Sequence, residues 1–120
     1  MADVRLTAIT PIFQVANLAR GIDFYTRVMG FEVAFQWGDP PDRASLCRDA
    51  VEITLEVEAS PVSAHVYIVV RDIDSYFAHI SAAGARVSHT LADRVYGMRD
   101  CRIVDPDGNQ LSIGQSLHQD

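Results

Sequence analysis

The sequence of 120 residues contains an internal repeat. A shift of 55 positions aligns Thr10 with His65, Val15 with Val70 and Asn17 with Asp72, and a shift of 54 aligns Gly30 with Gly84. The aligned positions carry a strand residue, a helix N-cap and a helix stop in both halves. Such a duplication predicts two copies of one supersecondary unit, each too small to bury its own hydrophobic face alone.

Each half has the residue pattern of a strand, a helix and three further strands. In the first half we predict a strand at 6–16, a helix from Asn17 to Gly30, strands at 31–37, 44–48 and 51–58, and a loop at 38–42. In the second half we predict a strand at 65–70, a helix from Asp72 to Gly84, strands at 85–89, 98–104 and 110–114, and a loop at 91–96. The sequence Asp-Pro-Asp-Gly-Asn at 105–109 is typical of a turn.

The repeated unit predicts an α+β fold of two tandem βαβββ modules, with curved mixed sheets around a cavity. One domain spans 1–120, with its repeats at about 6–58 and 63–116. A small sheet with one face on a helix leaves its other face open, so two modules, or four in a dimer, must be set side by side. We therefore expect a homodimer.

Composition excludes several functional classes. The net charge is −6 and all ten basic residues are arginine, so the surface repels nucleic acid and offers no lysine for Schiff-base chemistry. The chain has no apolar run long enough to span a bilayer and no signal-peptide pattern, which predicts a cytoplasmic protein without a membrane partner. Cys47 and Cys101 are expected to be buried, reduced thiols.

Two segments resemble signatures of a known family. Residues 15–25, with the sequence VANLARGIDFY, and 28–33, with VMGFEV, resemble the opening signature of the vicinal oxygen chelate superfamily. Residues 96–101 and the turn at 105–109 resemble its closing signature, closest to the bleomycin-resistance-like branch. The resemblance implies the glyoxalase/bleomycin resistance fold. It leaves the activity open, because the superfamily includes glyoxalase I, extradiol dioxygenases, fosfomycin-resistance enzymes and bleomycin resistance proteins.

The resemblance also implies four positions that hold a divalent metal in the enzymes of the superfamily. Here they are occupied by Thr10, Glu52, His65 and Ser112. Because neutral hydroxyls are poor ligands for a transition metal, we expect no metal and no other cofactor, and we favour binding over catalysis. If a divalent metal does bind, Glu52 and His65 are the candidate ligands.

Strand alternation predicts where a ligand lies. Residues 10, 12 and 14, then 52, 54 and 56, then 65, 67 and 69 share faces that are polar and aromatic, whereas the intervening residues are apolar. Polar groups mixed with aromatic rings are typical of a small-molecule site. With residues from the neighbouring loops, the predicted ligand-binding set is Gln14, Trp37, Glu52, Thr54, His65, Tyr67, Tyr96, Met98, Arg102 and Ser112.

Three functions remain open from the sequence. The first is a metal-free protein of the bleomycin-resistance type that sequesters a planar or cationic small molecule, such as an antibiotic, in a groove between modules of a dimer. The second is a divalent-metal-dependent lyase, isomerase, transferase or dioxygenase of the same fold, with Gln14 or Glu56 as additional ligands. The third is an interaction module without a ligand.

Overall fold

The computed structural model describes residues 3–118 and contains two four-stranded sheets. The first module comprises β1 (Ile12–Val15), α1 (Leu18–Asp23) with a π-helical continuation (Phe24–Val28), β2 (Glu32–Gly38), β3 (Pro41–Arg48) and β4 (Val51–Val57). The second comprises β5 (His65–Val69), α2 (Ile73–Ala82), β6 (Arg86–Asp93), β7 (Met98–Val104) and β8 (Gln110–Ser116). The strand orders are β1-β4-β3-β2 and β5-β8-β7-β6, and β1 and β5 run parallel to their neighbours while the other pairs are antiparallel. The predicted α+β fold of two βαβββ modules is confirmed.

The same local signals shape both helices. The Asn17 side chain accepts a hydrogen bond from the Arg20 N–H at 2.9 Å, and the Asp72 side chain accepts one from the Ser75 N–H at 3.3 Å. These bonds satisfy backbone donors that a helix start otherwise leaves free. Gly30 has a φ of 78°, in the region that favours glycine, so the first helix ends where the sequence predicts.

One hydrophobic core joins the two modules. Residues on the inner faces of the sheets, such as Phe13 and Ile53 in the first and Ile103 and Ile113 in the second, are fully buried and belong to one cluster with the helices. The predicted alternation of buried and open strand faces is thus observed. Within residues 3–118, no helix has the length and apolar character that crossing a bilayer requires.

Several predicted boundaries are wrong. The first strand begins at Ile12 instead of residue 6, because Pro11 has no N–H to donate and residues 3–10 form no backbone ladder with a strand. The strand β3 begins at Pro41, so the predicted loop at 38–42 shrinks to a tight turn. The strand β6 continues to Asp93, which shortens the predicted loop at 91–96. In both hairpins, antiparallel pairing extends strands through residues with weak strand propensity.

The two cysteines differ from each other in burial. Cys101 is buried, and this burial raises the pKa of its thiol to about 11, so the thiol stays protonated. Cys47 is only half-buried, because it lies beside Glu52 on the polar face of the first sheet. Both are free thiols, and the expectation that both are buried is wrong for Cys47.

The turn between β7 and β8 connects the second module to the first. The Tyr25 hydroxyl donates to Asp105 Oδ2 at 2.8 Å, and Asn109 Nδ2 donates to the Gln14 carbonyl at 3.1 Å. Asp105 and Asn109 are buried, so these bonds form away from water. Buried polar groups are costly unless paired, and these pairs therefore fix how the modules pack.

Candidate functional site

The first sheet carries a polar and aromatic face on the side away from its helix. Strand register places these residues in three cross-strand rows: Ile12, Thr54, Ser45 and Phe35; Gln14, Glu56, Arg43 and Trp37; and Glu52, Cys47 and Glu32. Residues directly opposite each other in a sheet share a face. The rows therefore combine carboxylates and hydroxyls with two large aromatic rings.

Phe35 and Trp37 form an exposed aromatic pair at the edge of this face. Their ring centroids lie 4.7 Å apart with planes inclined by 53°. The rings are 56% and 44% exposed, high values for large apolar residues that neighbour each other. Such a pair is an apolar surface that the described part of the chain leaves partly uncovered.

Two hydroxyls hold the Glu52 carboxylate in place. The Thr10 hydroxyl donates to Oε1 at 2.9 Å, and the Ser45 hydroxyl donates to Oε2 at 3.0 Å. Among the described residues Glu52 forms no ion pair, whereas the nearby Glu56 pairs with Arg43 at 3.2 Å. Glu52 therefore presents an oriented carboxylate that no basic side chain within residues 3–118 pairs with.

The second sheet has a corresponding face with basic and aromatic groups. One row contains Tyr67, Ser112, Arg102 and His89, and the next contains His65, Gln110, Val104 and Arg86. The Ser112 hydroxyl lies 2.7 Å from His65 Nε2 and accepts from Arg102 Nε at 3.1 Å. Burial and the nearby Arg102 charge lower the pKa of His65, so its imidazole is neutral near neutral pH.

Asp100 is the centre of a hydrogen-bond cluster on this second face. Its buried carboxylate accepts from Tyr67 at 2.8 Å, from Tyr96 at 2.5 Å and from Arg94 Nε at 2.8 Å. Burial alone would raise the pKa of Asp100, but these three donors outweigh it and hold the pKa below its ordinary value. The ionised carboxylate thus orients two tyrosine rings on the open face.

Gly114 makes room for one of these rings. A Cβ atom at position 114 would overlap the Tyr67 hydroxyl and press on the side chain of Asp100. A glycine at this point of β8 therefore lets Tyr67 lie across the sheet and reach Asp100.

The predicted site residues fall into two groups. Gln14, Trp37, Glu52 and Thr54 belong to the first sheet, and His65, Tyr67, Tyr96, Met98, Arg102 and Ser112 belong to the second sheet or its bordering loop. Within residues 3–118, no hydrogen bond or ion pair joins the groups. The Gln14 side chain accepts from the Val62 N–H at 2.8 Å, in the linker between the modules.

Asp100 and Phe35, which contact predicted site residues on the two faces, were not singled out from the sequence. Asp100 alternates with Met98 and Arg102 along β7, so strand periodicity was a sufficient signal to place it on the same face. Phe35 likewise alternates with Trp37. The contact of Asp100 with Arg94 had no sequence signal, because it depends on how the loop after β6 folds back.

The residues at the four positions where the resemblance implies a metal site do not fit a metal ion. Thr10 pairs with Glu52 on the first sheet and Ser112 pairs with His65 on the second, so each prospective ligand is bonded to a neutral hydroxyl. Hydroxyls at two of four positions leave too few good donors for a transition metal. The part of the chain that the structure describes holds no group of three or more His, Cys, Asp or Glu side chains placed to share an ion.

The family model of the Glyoxalase/Bleomycin resistance protein/Dioxygenase superfamily matches residues 6–113. The chain belongs to this superfamily. The match covers both modules, so the superfamily accounts for the duplicated βαβββ architecture. None of the curated protein sequences matches the chain significantly.

Solved structures of this superfamily's fold superimpose over almost the whole chain. TioX from Micromonospora sp. ML1 has a TM-score of 0.83 at 20% identity, covering 92% of this chain and 99% of its own. The bleomycin resistance determinant encoded on transposon Tn5 has a TM-score of 0.81 at 17% identity, covering 92% and 98%. A bleomycin-binding protein complexed with bleomycin has a TM-score of 0.77 at 18% identity, covering 92% and 99%. At these identities the similarity establishes the fold.

Proposed function

We propose that the protein sequesters a planar, cationic small molecule, without a metal, in a groove that two copies of the chain form together. The first-module face of one copy and the second-module face of the other would form the two walls. The observation that carries this proposal is the pair of ordered faces, polar and aromatic, that stay open within one chain. Structural similarity to a protein complexed with bleomycin supports a small-molecule ligand, and an antibiotic is one such molecule.

Exposure of large side chains supports a dimer. Tyr67 and Tyr96 on the second module are 43% and 63% exposed, and Val4, Leu6 and Ile9 before β1 are exposed as well. The radius of gyration is 15.4 Å, against roughly 13.6 Å for a compact domain of this length. A second copy is the simplest way to cover these surfaces.

Charge supports the pairing of unlike faces. The rows of the first face carry Glu32, Glu52 and Glu56 against Arg43 alone, so this face is acidic. The rows of the second carry Arg86, Arg102 and two histidines, and its one carboxylate, Asp100, is already paired with Arg94. Opposite charges across an interface fix its orientation, whereas two first faces would repel each other.

The first face also supports the ligand class. The pair Phe35 and Trp37 offers ring surface for stacking on a planar molecule, and the oriented Glu52 carboxylate supplies a counter-charge. Aromatic faces attract cations as well, by about 0.5 to 2 kcal/mol each. The combination selects a flat cation over a neutral molecule of the same shape.

We expect Trp37→Ala to weaken binding of the planar cation 9-aminoacridine about tenfold, because the loss of one stacking contact is worth about one decade of affinity. We expect Glu52→Gln to weaken 9-aminoacridine more than neutral acridine, because this substitution removes charge and keeps volume. Isothermal titration calorimetry of the wild type and both variants measures these effects.

Val62→Thr serves as a matched control, because it changes an exposed residue in the linker between the modules and should leave both affinities unchanged. If both site variants bind 9-aminoacridine within about twofold of the wild type, the ligand does not contact these faces and the proposed function is wrong.

A further inference from the structure

A cavity at the junction of the two modules lies apart from the rows of the polar sheet faces. It has a volume of about 840 Å³, large enough for a drug-sized molecule. It lies between the β3–β4 turn and the segment that joins β5 to α2. Its lining includes Phe31, Arg48, Ile68, Arg71, Ser75 and Tyr76.

The cavity exists because the two modules have turns of different length. Five residues, 105–109, separate β7 from β8, and this turn fills the junction beside the end of β1. Only two residues, 49 and 50, separate β3 from β4 at the equivalent junction beside the end of β5. The duplicated fold therefore has one filled junction and one open one.

A carboxylate occupies the filled junction. Asp107 Oδ1 accepts from the Ala16 N–H at 2.9 Å and from Arg20 Nη2 at 2.8 Å. The Asp107 side chain is only 3% exposed, so both donors meet a buried anion. The junction thus shows what this part of the fold binds: a carboxylate held by a backbone N–H before a helix and by a side chain in its first turn.

The repeat identifies the equivalent positions at the open junction. The shift of 55 places Ala16 on Arg71 and Arg20 on Ser75. The matching N-cap bonds to Arg20 and Ser75 confirm that the shift holds in three dimensions. Both Arg71 and Ser75 line the cavity. Within residues 3–118, the backbone N–H of Arg71 donates no hydrogen bond, and its guanidinium forms neither a hydrogen bond nor an ion pair.

The other charged groups of the cavity already have partners within the chain. Arg48 lies 5.1 Å above the Tyr76 ring, and it donates to the Met29 carbonyl at 2.8 Å. Asp49, with its side chain 93% exposed, lies 3.8 Å from Arg48 Nε and pairs with it, and Asp72 is engaged as the helix N-cap. Arg71 is therefore the arginine of this lining without a carboxylate partner among residues 3–118, and in a protein of net charge −6 it offers an anion a specific place.

We propose that this cavity binds a second small molecule, one that carries a carboxylate on an apolar or aromatic body. The carboxylate takes the place that Asp107 has in the other half, bonded to the Arg71 N–H and guanidinium and to the Ser75 hydroxyl. The body of the molecule lies against Phe31 and Ile68. This site is separate from the groove of the proposed function and does not depend on it.

The test uses 2-naphthoate as the probe and the full chain, measured by isothermal titration calorimetry. We expect 2-naphthoate to bind, and we expect Arg71→Gln to weaken it about tenfold, because a charge-assisted bond to a carboxylate is lost. Arg86→Gln is the matched control, since Arg86 also forms no ion pair in the described part of the chain but lies outside the cavity. Neutral 2-naphthamide should bind more weakly than 2-naphthoate, and equally to the wild type and Arg71→Gln.

Two further variants locate the site. Ser75→Trp places a large ring at an exposed position of the cavity wall and should abolish 2-naphthoate binding. Trp37→Ala, in the proposed groove, should leave it unchanged. The proposal is overturned if 2-naphthoate does not bind at millimolar concentration, if Arg71→Gln and Arg86→Gln bind it equally, or if Trp37→Ala removes the binding.

Discussion

Replacing Asp105 by alanine is expected to lower the free energy of unfolding by about 3 to 5 kcal/mol, the largest effect we predict for a single side chain. Asp105 is 2% exposed and accepts four hydrogen bonds: from the Tyr25 hydroxyl, from the N–H groups of Asp107 and Asn109, and from Asn109 Nδ2. Its loss leaves buried donors without an acceptor. Burial and the Asp105 charge raise the pKa of Tyr25 well above its ordinary value, so the phenol remains a donor throughout.

Urea denaturation followed by circular dichroism measures this loss. Tyr25→Phe is the matched control, because it removes one of the four bonds and keeps the ring, and it should cost about 1 kcal/mol. If Asp105→Ala costs no more than Tyr25→Phe, the turn does not hold the modules together in the way described.

The substitution Asp100→Asn is expected to cost about 2 kcal/mol near neutral pH, because it removes the charge that three donors share. The pKa of Asp100 is lower in the folded protein than in the unfolded chain. The unfolded chain therefore binds this proton more tightly, and acid favours unfolding. The contribution of Asp100 is complete above the ordinary carboxyl range and is lost as the pH falls through the folded-state value.

Melting temperatures measured between neutral pH and about pH 3 test this prediction. The wild type should lose stability steeply below the ordinary carboxyl range, whereas Asp100→Asn should start lower and fall less. Asp23→Asn is the control, because Asp23 is an exposed carboxylate on α1 in an i, i+4 pair with Arg27. Parallel acid profiles for the wild type and Asp100→Asn would contradict the assigned role.

Repetition in the sequence made most of the fold predictable. The caps at Asn17 and Asp72 and the glycines at 30 and 84 act within one helical turn, so their effect is visible in a short window of sequence. Strand ends were less predictable. Pro41 begins a strand because a neighbouring strand pairs with it, and that long-range pairing overrides local propensity.

The sequence predicted which strand faces carry the candidate site, but it did not predict how these faces are arranged relative to one another. Alternation placed Glu52 and Tyr67 on open faces, since a strand has a period of two residues. It could not show that these residues lie in two sets within one chain, because this depends on how the helices pack the modules together. The cavity at Arg71 was also hidden, because it arises from a difference in turn length between the two halves.

The central claim is that two chains together form each ligand-binding groove, and complementation between variants tests it most directly. Trp37→Ala damages the first-module face and Tyr67→Ala damages the second-module face. A mixed dimer of the two variants would contain one groove with both defects and one with neither. Isothermal titration calorimetry with 9-aminoacridine on co-expressed, doubly tagged mixed dimers counts the intact grooves.

We predict that each mixed dimer binds one 9-aminoacridine with wild-type affinity, while either variant alone binds at least about tenfold more weakly. The same preparation shows by sedimentation whether a dimer forms at micromolar concentration. A mixed sample that binds no better than the separate variants, or a protein that sediments as a 13.3 kDa monomer, would contradict the account.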